Sequence, residues 1–144
     1  MKRLPLAIVV VLVLVAACGG GAGRGSGRAD AQITFTPDPL RSGSVTWTIT
    51  VTNDTSSALD LTFPSGQRAD VTLSQSGNVR YQWSRGMAFT QLVGTEQVKA
   101  GGNTAYTLQG ELNVAPGTYQ LHAVVTASNH TDLGVTRDVT VRSG

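Results

Sequence analysis

The stretch SVTWTITVTND, Ser44 to Asp54, alternates without a break. Val45, Trp47, Ile49 and Val51 fall on one side of an extended chain, and Thr46, Thr48, Thr50 and Thr52 on the other. Large apolar groups opposite β-branched threonines define a strand that is dry on one face and wet on the other. Such a strand belongs to an antiparallel sheet laid over a core. Asn53-Asp54 then ends it with side chains that favour turns.

The same period recurs on both sides. Ile33 and Phe35 mark a first strand, stopped by Pro37 and Pro39. Leu59, Leu61 and Phe63 mark another, ended by Pro64-Ser65-Gly66. Val71 and Leu73 lead to a Ser76-Gly77-Asn78 turn, and Val79, Tyr81 and Trp83 alternate after it. Gly86 breaks that run, and Met87 and Phe89 resume the alternation. Tyr106 and Leu108 follow a Gly101-Gly102-Asn103 turn, Tyr119 to Val125 makes a long strand, and Val135 to Val141 the last. No stretch has helical period. About seven to nine short strands at this spacing predict an all-β fold, an immunoglobulin-like antiparallel β-sandwich. In Ala115-Pro116-Gly117-Thr118-Tyr119, a Tyr enters a long strand just after Pro-Gly, as at the tyrosine corner of such sandwiches. With a single cysteine in the chain, no internal disulfide is available, so packing must hold the sheets, with Trp47 and Trp83 as the natural bulk.

The N-terminus has a different character. Lys2 and Arg3 precede an apolar run of twelve residues, Leu6 to Ala17. A bilayer span needs roughly 20 residues, so this run fits a secretory signal instead. Val15-Ala16-Ala17 leads into Cys18, and an apolar residue, two small residues and then Cys resembles a bacterial lipobox. The resemblance implies that residues 1–17 are a signal peptide and that Cys18 carries a lipid. Gly19 to Arg28, GGGAGRGSGR, is a tether that reaches roughly 17 Å as a coil. The expected organisation is signal 1–17, lipidated Cys and tether 18–30, and one domain over 31–144. The expected location is the extracytoplasmic face of a cell-envelope membrane, held by the lipid anchor.

The net charge of +2 misleads, because the excess lies in the leader and tether. From Ala31 onward, seven Lys and Arg face eight Asp and Glu, a formal charge near −1. Nucleic-acid binding, which depends on neutralising phosphates, has no support in that balance. His122 is out of phase with Tyr119, Leu121 and Ala123, and His130 lies in a polar loop, so neither suggests a metal site. No Gly-x-Ser-x-Gly elbow and no paired carboxylates appear. The sequence is read as non-catalytic, with no cofactor and no metal.

Three blocks carry a resemblance: LTFPSGQRADVTL (Leu61 to Leu73), VRYQWSRGMAFTQ (Val79 to Gln91) and APGTYQLHAVV (Ala115 to Val125). Phe63, Ser65, Gly66, Gln67 and Asp70, then Trp83, Ser84, Phe89, Thr90 and Gln91, then Pro116-Gly117-Thr118-Tyr119, resemble in order and spacing the BsuPI family of intracellular proteinase inhibitors. The resemblance implies an immunoglobulin-like fold and inhibition of a serine protease as partner. Two departures stand out: Ala69 precedes Asp70 where an aromatic is common, and this chain carries an export signal.

The second block admits two readings. In one, Ser84, Arg85, Gly86 and Met87 form an inhibitory loop, with Met87 or Phe89 entering an apolar specificity pocket, or Arg85 that of a trypsin-like enzyme. In the other, Trp83, Met87 and Phe89 turn inward and complete the core, each contributing ~1.5–3 kcal/mol. The scarcity of aromatics favours the inward reading for Trp83 and Phe89 and leaves Arg85 and Met87 open. The leading expectation is a lipid-anchored BsuPI-like inhibitor of a serine protease. The alternative is a non-catalytic adhesion or scaffolding module at the cell surface, since one fold hosts many functions. A carrier of small ligands is the weaker third.

Overall fold

The computed structural model describes residues 27–144. Cys18, the signal 1–17 and most of the tether lie outside the described residues. Nine strands follow in order: β1 Ala29–Thr36, β2 Gly43–Asn53, β3 Leu59–Phe63, β4 Ala69–Gln75, β5 Asn78–Gln82, β6 Gly94–Val98, β7 Asn103–Leu112, β8 Gly117–Val125 and β9 Gly134–Val141. The first strand thus begins slightly ahead of the domain boundary expected at Ala31.

The strands form an antiparallel sandwich of the expected class. One sheet has the order β1-β2-β7 and the other β5-β4-β8-β9, with a two-stranded β3-β6 ribbon beside them. In β2 the apolar residues of the alternating stretch are all buried and the threonines all partly exposed, as their period requires. Trp47 pairs with Leu108 and Ile49 with Tyr106 across the β2–β7 ladder. Val71 faces Ala123 and Leu73 faces Leu121 across β4–β8. These inward sets join in one buried cluster. The β4–β5 hairpin closes through Ser76 and Gly77, whose φ angles of 51° and 77° are those a two-residue hairpin turn needs.

The β2–β7 pair bends into the β3–β6 ribbon at Asn53. Asn53 is fully buried, and its Nδ2 donates to the carbonyls of Ser57 at 2.9 Å, Val98 at 3.0 Å and Lys99 at 3.2 Å. Its Oδ1 accepts from the Thr55 amide and hydroxyl, and its backbone bonds to Gly101 and Gly102. Every polar group of Asn53 is paired, which is the condition for burying an amide there. At the other end of the sandwich, Tyr119 Oη donates to the Ala115 carbonyl at 2.6 Å, the tyrosine corner expected from the sequence.

Two expectations need correction, and one strand was missed. Met87 to Val93 forms no strand; the chain there is irregular. The strand that follows is β6, which the alternation did not reveal because its inward middle position is Glu96. Trp47 is the central bulk of the core, but Trp83 is only partly buried and packs at the core's rim.

Candidate functional site

The residues of the first two motif blocks meet at one end of the sandwich and bind one another. Asp70 is the second residue of β4 and is only 8% exposed. Its Oδ1 accepts from the amides of Val71 at 2.9 Å and Ser84 at 3.1 Å. Its Oδ2 accepts from Ser84 Oγ at 2.6 Å and Gln82 Nε2 at 2.8 Å. A buried carboxylate needs such a full set of donors. Asp70 therefore fixes the point where the chain leaves β5.

Trp83 is held in the same place from two sides. Its amide donates to Val71, and its Nε1 donates to the Gln109 carbonyl on β7 at 2.9 Å. Gly110 makes that approach possible, since a Cβ there would lie 3.2 Å from Tyr81 Oη and 3.3 Å from Trp83 Cδ1. Tyr81 accepts from Trp47 Nε1 at 3.3 Å, and burial is the main cause that pushes its phenol pKa up. Phe89 lies on Trp83 with ring centroids 6.0 Å apart. The aromatics of this block thus form an outer layer over the rim rather than part of the inner cluster.

Between them, Ser84 to Met87 makes tight turns. The Arg85 amide donates to Gln82, the Met87 amide to Ser84, and Gly86 has a φ of 80°. Arg85, Gly86 and Met87 are exposed, Met87 by 43%. Arg85 and Met87 flank an open depression of about 340 Å³ with Tyr81, Trp83 and Glu111.

Beyond Phe89 the chain is tied down again. The Gly66 amide donates to the Thr90 carbonyl at 2.8 Å, and a Cβ on Gly66 would meet Thr90 Oγ1 at 2.5 Å. Ser65 Oγ accepts from the Gln67 amide, Gln67 Nε2 donates to Ala69, and the Gln67 carbonyl accepts from Thr126 Oγ1. These bonds hold the Ser65-Gly66-Gln67 turn rigid, and through it Thr90.

A second clamp, which the sequence reading missed, closes the far end. Arg68 Nε pairs with Glu96 Oε1 at 2.6 Å and Nη1 donates to the Ser65 carbonyl at 2.7 Å. Its guanidinium lies over the Phe63 ring at 4.4 Å, and Nη2 sits 2.8 Å from where Gly94 would carry a Cβ. Glu96 Oε2 accepts from Tyr106 Oη at 2.8 Å. Burial first, and Glu96 second, push the Tyr106 phenol well above its usual pKa.

Between Thr90 and Gly94 run Gln91, Leu92 and Val93. Leu92 is 75% exposed and Val93 71%, the highest of the exposed large apolar side chains among the described residues. The only local signal for them is the adjacent apolar pair that breaks the alternation before Gly94. Elsewhere, His122 Nδ1 meets Thr136 Oγ1 at 2.9 Å on the exposed face of β8. Among the described residues no group of His, Cys, Asp and Glu could hold a metal ion.

The sequence matches the family model described as "BsuPI: Intracellular proteinase inhibitor" over residues 33–130. No curated protein matches it significantly. Among solved structures it is similar to the sporulation control protein Spo0M of Bacillus subtilis, at 13% identity and a TM-score of 0.49, covering 82% of this chain and 51% of that one. The chain thus spans about half the length of Spo0M. It is also similar to the CARDB domain of the PF1109 protein of Pyrococcus furiosus, at 17% identity and a TM-score of 0.44, covering 80% and 88%. A third is the C-terminal domain of wzt, at 15% identity and a TM-score of 0.47, covering 82% and 75%. The matched span takes in the Asp70–Ser84 pair, the Trp83–Phe89 contact and the Gly66–Thr90 tie, and the chain belongs to the BsuPI family of proteinase inhibitor domains.

Proposed function

We propose that this domain inhibits a serine proteinase outside the cytoplasm, held at a membrane by a lipid on Cys18. Membership of the BsuPI family is the observation that carries the inhibitor reading. The geometry supports it: an exposed segment from Ser84 to Val93 is pinned at several points by buried or paired side chains. A pre-ordered loop loses little freedom on docking, which is how an inhibitor gains affinity for a protease cleft. The lipobox-like Val15-Ala16-Ala17-Cys18 supports the anchor. In that setting the target is an exported or envelope enzyme.

The test is a titration of the chain against a panel of subtilisin-like and trypsin-like serine proteinases, read with a small peptide substrate. Saturable, stoichiometric loss of activity without degradation of the chain is the expected result. A folded chain that inhibits none of them would leave adhesion or scaffolding as the better reading. The exposed pair Leu92-Val93, outside the turn at Ser84–Met87, would then be the adhesive surface.

A further inference from the structure

We infer that Gln91–Val93 is the segment that enters the proteinase cleft, with Leu92 as the side chain that fills the specificity pocket. This assignment rests on the inhibitor reading above and deepens it.

A protease holds its ligand as an added strand, so the bound segment must offer free backbone N–H and C=O groups and one well-presented side chain. The Ser84–Met87 turn meets this poorly. The Met87 amide is already committed to Ser84, and the left-handed backbone at Gly86 bends the chain away from an extended path. Gln91, Leu92 and Val93 make no backbone hydrogen bond among the described residues. All three side chains are exposed, on an irregular stretch that runs straight into β6.

The edges of the β3–β6 ribbon point the same way. The outer edge of β3 is covered: Ser128 donates its amide to Thr62, and Asn129 bonds both the Thr62 amide and the Asp60 carbonyl. β6 pairs with β3 alone, so its other edge has no partner strand among the described residues. An incoming strand could continue from Gln91 along that edge. The two ends of the segment are held by the Gly66–Thr90 hydrogen bond and by the pairing of Gly94 with Phe63 in the β3–β6 ladder. Leu92 is thereby held out in water with 75% of its surface exposed. A large aliphatic side chain displayed between two tied ends suits an endopeptidase with a deep apolar pocket. Arg85 and Met87 then touch the enzyme at the margin of the contact.

The experiment compares the full-length chain with Leu92→Ala, Leu92→Arg and, as an exposed apolar control on β5, Val79→Ala, against subtilisin and trypsin. Leu92 is exposed, so the variants keep the wild-type melting curve. The expected result is that Leu92→Ala weakens subtilisin inhibition about 30-fold or more, the loss typical of a central anchor. Leu92→Arg is expected to gain affinity for trypsin, while Val79→Ala matches wild type. Wild-type inhibition that survives unchanged in both Leu92 variants overturns the assignment and leaves the inhibitor reading standing. Wild type that inhibits neither enzyme overturns the inhibitor reading and the assignment with it. Self-association of the chain that Leu92→Arg abolishes, with inhibition untouched, also overturns it and makes this edge a contact between copies.

Discussion

Asp70 and Ser84 are joined twice, once through the Ser84 amide at 3.1 Å and once through its hydroxyl at 2.6 Å. The carboxylate also holds Gln82 Nε2 and the Val71 amide. Replacing Asp70 by Ala leaves these donors without a partner in a poorly hydrated place. The expected cost is about 3 kcal/mol in urea unfolding, against ~1 kcal/mol for Ser84→Ala, which keeps the carboxylate. Equal, small effects of the two changes would show that the pair is incidental.

Gly66 and Thr90 fit each other by shape. Gly66→Ala places a Cβ 2.5 Å from Thr90 Oγ1, whereas the Thr90 Cβ is a tolerable 3.6 Å away. Gly66→Ala alone is therefore expected to destabilise by ~1–2 kcal/mol. In a Thr90→Ala background the same change is expected to be nearly neutral. A double-mutant cycle on thermal unfolding measures the coupling, and strict additivity would contradict the fit.

Tyr106 makes stability depend on alkaline pH. Its phenol keeps its proton in the folded chain above the ordinary value of 10.0, where the unfolded chain has lost it. The folded state then binds more protons, so stability is full below pH 10 and falls as pH rises from there toward the raised folded pKa. Tyr106→Phe is expected to flatten that part of the decline while leaving the Arg68–Glu96 pair in place. Chemical unfolding measured from pH 9 upward checks it, and an unchanged slope in Tyr106→Phe would contradict it.

The segments that alternate fully were legible from composition alone. β2 puts every apolar residue inside and β8 every one but Val124, with nearly every polar residue outside, so period two identified both strand and face. β6 was not legible, because Glu96 occupies its inward middle position and the sequence near it does not announce Arg68 and Tyr106 as partners. The loop was half legible. Trp83 and Phe89 do pack together, but on the rim, because Trp83 Nε1 reaches outward to Gln109. Leu92 and Val93 carried the opposite signal from their exposed position, since apolar residues are expected inside. The two ends of this stretch are tied by Gly66 at Thr90 and by Phe63 at Gly94, residues distant in sequence.

The anchor has its own test. Cys18→Ala is expected to move the protein from the membrane fraction to the soluble fraction and to abolish labelling by a fatty-acid analogue. One acyl chain binds only marginally, so release is expected to be nearly complete once the doubly acylated anchor cannot form. Unchanged membrane retention in Cys18→Ala would remove the lipoprotein reading.

The most direct measurement is amide hydrogen exchange on the full chain, alone and with one equivalent of subtilisin inactivated at its nucleophile. The amides of Gln91, Leu92 and Val93 have no backbone partner among the described residues and are expected to exchange fast in the free chain. In the complex, slowed exchange is expected from Thr90 to Gly94 and along β6, with little change on β1 and β9. Stable binding with protection elsewhere and none at Gln91–Val93 would contradict the claim that the clamped segment is the surface offered to the enzyme.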